Sequence, residues 1–214
     1  MEGIHKVRTT VADQKIRFVR YRPFPFWNRV KDKFIDDKKI IERLFLMKQK
    51  VFLISDTHFS YRNVIRYENR PFRDADEMDK HMIQKWNEVV SENDLVFHLG
   101  DVVIGSAKRA QEVLTQLNGR KILILGNHDH YIKTKWRKLR FEPYERYFYQ
   151  DYLFTHIPVQ EEPLRVAVAE GFLKANIHGH THLNNQHLDR NLYKCCCVEF
   201  IDYTPILFDE FVQI

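Results

Sequence analysis

The chain of 214 residues contains no run of 18 or more apolar residues, and about that many are needed for a helix to cross a hydrocarbon core. Its first residues, Met1-Glu2-Gly3-Ile4-His5-Lys6, lack the apolar stretch and small-residue cleavage site of a secretory leader. Cysteine is equally scarce, with only Cys195, Cys196 and Cys197, consecutive in the chain. That arrangement is neither a paired disulfide framework nor the spaced thiolate set of a zinc site. A strand packing small apolar side chains is the simplest use for it, in a reducing compartment. No internal repeat or low-complexity tract breaks the chain. The expectation is therefore a soluble, cytoplasmic protein with no membrane partner. Hydrophobic residues make up 44% of it, enough to bury one core without covalent staples.

The net charge of +5 is unevenly spread. Residues 1–46 hold 12 Lys and Arg against 6 Asp and Glu, which leaves the remainder slightly acidic. The division predicts a basic N-terminal appendage, 1–46, and a self-sufficient domain, 47–214. In the appendage, Lys15 to Tyr21 reads as a strand ended by Pro23 and Pro25, and Asn28 to about Lys48 as a helix. Arg17 to Arg29 interleaves cations with aromatics. Such a segment suits a single-stranded nucleic acid, or a strand whose aromatics cover the core or a second subunit, as in a homodimer.

What the rest of the chain does have is a series of short apolar runs, each followed at once by polar residues. Val51 to Ile54 precedes Asp56-Thr57-His58, and Leu95 to Leu99 precedes Gly100-Asp101. Ile122 to Leu125 precedes Gly126-Asn127-His128-Asp129, Tyr152 to Thr155 precedes His156, and Asn176 to His178 precedes Gly179-His180-Thr181-His182. The runs read as buried strands. Two helical patterns lie between the first three. One covers about Ala75 to Val90, with Met78, Met82, Ile83, Trp86 and Val89 inward and Asp74 or Asp76 as cap. The other runs from after Ser106 to Gly119, with Ala110, Val113, Leu114 and Leu117 inward. Two such crossovers imply a parallel sheet with helices packed on it. Asp151 to His156, Ala175 to His178 and Cys195 to Ile201 read as further, antiparallel strands.

In an open α/β sheet, ligands bind in the crevice outside the carboxyl ends of the strands. The five motifs would bring three Asp, one Asn and five His there. Paired divalent cations need a carboxylate able to bridge them, together with terminal oxygen and imidazole ligands. Alternation in an extended segment would put Asp56 and His58 on one side. Gly179 would allow the close turn that aims His180 and His182 inward.

In order and content, the set resembles the signature of the calcineurin-like metallophosphoesterase superfamily: Asp-x-His, Gly-Asp, Gly-Asn-His-Asp/Glu, His and Gly-His-x-His. The resemblance implies an α/β fold of two sheets in a sandwich flanked by helices. It implies two metal ions, Asp56, His58 and His182 on the first, Asn127, His156 and His180 on the second, and Asp101 bridging both. A hydroxide between the ions would attack phosphorus. His128 would stabilise charge on a phosphoryl oxygen or protonate the leaving oxygen, with Asp129 orienting its ring. Mn²⁺ is the ion the resemblance favours, and Zn, Fe, Ni and Co suit the same donors. Tyr67-Glu68-Asn69-Arg70-Pro71-Phe72-Arg73 and Leu117 to Asp129 are similar to a compact bacterial and phage branch. In that branch a Gly-His pair commonly follows Asp-x-His-Phe; here Ser60 and Tyr61 stand there. Val102-Val103-Ile104-Gly105 replaces the Asp-Arg-Gly continuation of protein Ser/Thr phosphatases.

The reaction implied is hydrolysis of a phosphate mono- or diester. A small nucleotide or cyclic nucleotide is the first choice of substrate, since the short core has no evident capping domain. The alternatives are a nuclease acting on DNA or RNA, guided by the basic segment, and a non-catalytic binding module retaining the fold. Salt-sensitive binding that weakens without residues 1–46 would mark the nuclease. His98 and His178 are expected to support the ligands or fill packing roles, and His130 to lie at the surface. Arg62, Asn63 and Arg66 are expected in a loop after the first motif, either an ordinary solvated loop or one that reaches a phosphate. Tyr61 would stack on a nucleobase or cover the sheet edge.

Overall fold

The computed structural model describes residues 49–129 and 136–214. The strand and helix expected between Lys15 and Lys48, the appendage 1–46 and His130 lie outside the described residues. The described part opens with β1 (Val51–Ile54), which runs into α1 (Arg62–Tyr67) and α2 (Ala75–Val89). Next come β2 (Leu95–His98), α3 (Ala107–Leu114) and β3 (Arg120–Ile124). A 3-10 turn at Trp136–Leu139 leads to β4 (Phe141–Tyr144), β5 (Tyr147–Tyr149) and β6 (Tyr152–Phe154). The chain ends with α4 (Glu161–Ala169), β7 (Ala175–His178), β8 (Tyr193–Cys195), a 3-10 turn at Val198–Phe200, β9 (Ile206–Leu207) and α5 (Phe208–Phe211).

Two sheets result, the first ordered β4-β3-β2-β1-β9 and the second β5-β6-β7-β8. In the first, β1 to β4 are parallel and only β9 runs against them. The second departs from the antiparallel expectation: β6, β7 and β8 are parallel, and only β5 opposes its neighbour. The reason is α4, which the sequence reading did not include and which supplies the crossover that a parallel β6–β7 pair requires.

The period-2 alternation of strands explains the layering. Phe52 and Ile54 of β1, Val96 of β2 and Leu123 of β3 face the helices, where they meet Met78, Met82, Trp86, Val113 and Leu114. Leu53, Phe97, Ile122 and Ile124 face the other way and meet Phe154, Ala175, Ile177, Cys196 and Phe208 in the space between the sheets. The fold is thus an α/β sandwich of two sheets flanked by helices.

Local signals set the helix starts. The Asp74 carboxylate accepts from the Glu77 amide at 2.9 Å, and Asp76 and Glu77 lie in the first turn of α2, where the dipole favours acids. Ser106 accepts from the Arg109 amide in the same way and opens α3. Other boundaries moved. Val89 faces solvent at 37% exposure, α3 ends at Leu114 rather than Gly119, and the residues after Cys195 leave the sheet for a 3-10 turn. Arg62, Asn63 and Arg66 lie in helix α1, not in a loop.

Lys121 faces the helix side of β3 and is buried, its ammonium donating to the Leu117 carbonyl at 2.6 Å and lying 5.8 Å from the centre of the Phe141 ring. Burial pushes its pKa down from 10.5 to about 8. Below pH 8 both folded and unfolded chains carry this proton, and the folded state bears the full cost of the buried charge. Between pH 8 and 10.5 the unfolded chain binds more protons, so stability rises with pH. Relative to Lys121→Met, the wild type should gain about 3 kcal/mol of unfolding free energy between pH 7 and pH 10.5, at 1.36 kcal/mol per unit. Denaturant unfolding of both proteins at the two pH values measures the difference; equal responses to pH would defeat the assignment.

Candidate metal centre

The motifs converge at the carboxyl ends of the strands. Asp56 and His58 follow β1, Asp101 follows β2, Asn127 and His128 follow β3, His156 follows β6, and His180 and His182 follow β7. Asp56, His58 and His182 each offer a ligand atom within 4.8 Å of one another, and so do Asp101, His156 and His180. Asn127 joins the second group, its Oδ1 lying 3.0 Å from His156 Nε2. Asp101 Oδ2 stands between the groups, 3.4 Å from His156 Nε2, 3.6 Å from His58 Nε2 and 3.9 Å from His128 Nε2. All seven residues expected to hold metal are therefore in one neighbourhood.

How they arrive there differs from the extended-segment expectation. Asp56 (φ 58°) and His58 (φ 48°) are both left-handed, as are Asp101 (φ 56°), His180 (φ 66°) and His182 (φ 44°). Such conformations cost energy in non-glycine residues and persist where the surroundings over-determine them. Here the Asp56 amide donates to the Gly100 carbonyl at 3.0 Å and the His58 amide to the Asp101 carbonyl at 2.9 Å, tying the first two motifs together. Ser60 is left-handed as well (φ 65°). Its amide and hydroxyl both donate to the buried Asp79 carboxylate, at 2.7 and 2.8 Å.

The carboxylates are held so that one oxygen is committed and another is left over. Asp56 Oδ2 accepts from the Ser55 hydroxyl, from the His180 amide at 2.9 Å and from the Cys197 thiol at 3.3 Å. Asp56 Oδ1 is buried with no hydrogen-bond partner, and so is His58 Nδ1. An orphaned carboxylate oxygen 3.8 Å from His58 Nε2 and 3.6 Å from His182 Nε2 is costly without a cation. The donor set fits a divalent ion of mixed oxygen and imidazole preference.

Electrostatics agree with the geometry. Burial alone would raise the Asp56 carboxyl, but the imidazoles of His156, His182 and His58 outweigh it and hold it below the ordinary value. Burial likewise opposes ionisation of Asp101, and the hydrogen bond and charge of His156 turn the balance well downward. His156 shows the converse: desolvation would lower it, yet its contact with Asp101 and the charge of Asp56 raise it to about 9. Desolvation prevails at His58, pushed down to about 4, so that ring is a neutral donor at physiological pH.

His98 and His178 take the supporting roles expected of them. His98 Nε2 lies 3.0 Å from the Thr57 hydroxyl and its ring packs on Trp86, while His178 Nδ1 lies 2.8 Å from the Gly179 carbonyl. Asp129 has a different role from the expected one. Its carboxylate is fully buried and accepts from the backbone amides of Asp101 at 2.8 Å, Gly126 at 2.8 Å and Val102 at 3.1 Å. It staples the second motif to the third instead of orienting the His128 ring, because desolvating a carboxylate demands close donors and the loop amides are nearest.

Three site residues escaped the sequence reading. Arg70 and Glu199 form a buried ion pair at 2.7 Å beside the first ligand group, and Cys197 touches Asp56 rather than packing as an inert strand residue. An isolated bridge between Ser55 and Cys197 brings the ends of β1 and β8 together and delivers the thiol there. Arg70 stands in a segment noted only for its likeness to relatives, and no local pattern announces a partner 129 residues away.

Close approach also explains two glycines. A Cβ at Gly179 would come within 2.3 Å of Asp56 Oδ2, and one at Gly126 within 2.2 Å of Asp101 Oδ1. Gly126→Ala should therefore displace the shared carboxylate, destabilising the fold by about 1–3 kcal/mol and lowering the metal content of purified protein. Unfolding midpoints and elemental analysis test this, and a variant that keeps both stability and metal would contradict the close approach.

Comparison with known proteins agrees with this geometry. Residues 49–193 match the model of the calcineurin-like phosphoesterase family. An uncharacterized protein of Methanocaldococcus jannaschii is 37% identical over 78% of this chain and 91% of its own length. The crystal structure of a protein of unknown function from Aquifex aeolicus superposes with a TM-score of 0.62 at 25% identity, covering 78% of this chain and 99% of that one. With five ligand-bearing loops at the carboxyl ends of two packed sheets, the chain belongs to the calcineurin-like phosphoesterase family.

Proposed function

We propose that the chain is a dinuclear metal-dependent phosphoesterase that hydrolyses phosphate mono- or diesters, with small nucleotides or cyclic nucleotides as substrates. The observation that carries this reading is the position of Asp101 Oδ2, within 3.4 to 3.9 Å of three imidazole nitrogens from three different loops. Asp56, His58 and His182 would hold one ion, Asn127, His156 and His180 the other, and Asp101 both, with manganese the preferred metal. When bound, such a pair supplies Lewis acidity toward the phosphoryl oxygens and hydroxide at neutral pH.

The chain's own residues do the rest. The His128 amide donates to Asp101 Oδ1 at 2.9 Å, which anchors the residue, while its ring stays 49% exposed beside the shared carboxylate. From there it would donate to a phosphoryl oxygen or to the leaving oxygen. Tyr61 lies 6.0 Å from the His58 ring, centre to centre, and Tyr67 beyond it is 70% exposed. The exposed Tyr67 ring offers an apolar face for a base, and the exposed Arg62 and Arg66 on the same helix offer positive charge for a phosphate.

The test is a panel assay after metal stripping. Mn²⁺, Zn²⁺ and Ni²⁺ are restored singly against an aryl phosphate monoester, an aryl phosphodiester, a cyclic nucleotide and a short oligonucleotide. Turnover of the small diesters is expected with at least one ion. His128→Ala should lower kcat by roughly 10²- to 10⁴-fold while two ions per chain remain bound. Inactivity across the panel, or an unaffected His128→Ala, would overturn the reading. Selective cleavage of the oligonucleotide would redirect it to a nuclease.

A further inference from the structure

We infer that Glu199 and Arg70 act as a positioning pair for one half of the metal centre, the half formed by Asp56, His58 and His182. The inference rests on the two-ion reading above and assigns work to two residues that touch no substrate. Arg70 is 4% exposed and uses its guanidinium in two directions. Towards β1 its Nη2 donates to the Asp56 carbonyl at 2.7 Å and its Nη1 to the Thr57 carbonyl at 2.9 Å. Towards the C-terminal segment its Nε and Nη2 both donate to Glu199 Oε1, at 2.9 and 2.7 Å. The same carboxylate oxygen lies 3.1 Å from His182 Nδ1.

A carboxylate accepts and cannot donate, so this contact requires the proton of His182 to reside on Nδ1. In the neutral ring that metal binding requires, the lone pair of Nε2 is then free, and it is this atom that lies 3.6 Å from the orphaned Asp56 Oδ1. Through its other nitrogen a metal-binding imidazole is commonly oriented by a carboxylate, which sets the tautomer and raises the basicity of the ligand. Arg70 extends the chain of contacts. By gripping the carbonyls of Asp56 and Thr57 as well as Glu199, it sets the distance between the loop that carries Asp56 and His58 and the imidazole that completes the group. The second group, at Asp101, Asn127, His156 and His180, receives no contact from Arg70 or Glu199 among the hydrogen bonds of the described residues. The direct contacts of the pair therefore fall on one half-site.

The experiment uses the full chain with two variants, Glu199→Gln, which keeps shape and removes charge, and Arg70→Lys, which keeps charge and removes the fork. Mn²⁺ is titrated into stripped protein against a competing chelator, and the histidine rings of stripped protein are observed by long-range ¹H–¹⁵N correlation, with His182→Asn used to identify the His182 signals. In the wild type we expect two binding steps and a His182 ring protonated at Nδ1. Each variant should weaken one step by roughly 10- to 100-fold and leave the other within twofold, and Glu199→Gln should mix the His182 tautomers. Affinity unchanged in both variants, or both steps weakened equally, overturns the inference. So does a neutral wild-type ring with its proton on Nε2 alone. A wild type that takes up fewer than two ions defeats the dinuclear reading instead, and the ring protonation still decides the contact between Glu199 and His182.

Discussion

Mutual neutralisation of buried carboxylates and imidazoles at the end of the sheets is the constraint on which the rest of the structure depends. Asp56 and Asp101 are almost wholly desolvated, and an isolated carboxylate so placed would shed its charge. They stay ionised because His58, His156 and His182 surround them and because backbone and side-chain donors hold their remaining oxygens. The arrangement is over-supplied with lone pairs: Asp56 Oδ1 and His58 Nδ1 are buried without partners. A site with that excess of acceptors suits cations.

Energy for holding the ligands comes from elsewhere in the fold. Five residues of the site sit in left-handed backbone conformations, each costing of order 1–3 kcal/mol in a sparsely populated region. Amide-to-carbonyl bonds between the loops, the Asp129 staple across the second and third motifs, and the Arg70 fork compensate that strain. These devices rest on two apolar cores, one between the first sheet and the helices and one between the sheets. The short polar loops can be strained because the strands before them are buried on both faces and cannot shift register without exposing a row of apolar side chains.

Residues with similar chemistry are put to different uses by their depth. His128 keeps half its surface in solvent and is free to meet a substrate, whereas His98 is sealed behind Trp86 and Thr57 and burial pushes its pKa down to about 3. Asp101 and Asp129 are 2.8 Å apart at the nearest backbone contact, yet one faces imidazoles and the other faces amides. The first is held below the usual carboxylate range and the second above it.

The strands, the two capped helices and the Asp and His residues that gather at the sheet ends were legible in the chain itself, because apolar runs, caps and metal-binding residue types are local signals. Strand direction in the second sheet was not, since it depends on α4, whose apolar stripe is weak. The left-handed turns at Asp56 and His58 were invisible too, as nothing in Asp-Thr-His distinguishes them from an extended segment. Arg70, Cys197 and Glu199 could be assigned only by the folded chain, which brings a residue after α1 against one after β8. Local periodicity and residue type are written residue by residue, whereas a pair such as Arg70 and Glu199 exists only once the segments after α1 and β8 have packed together and shed their water.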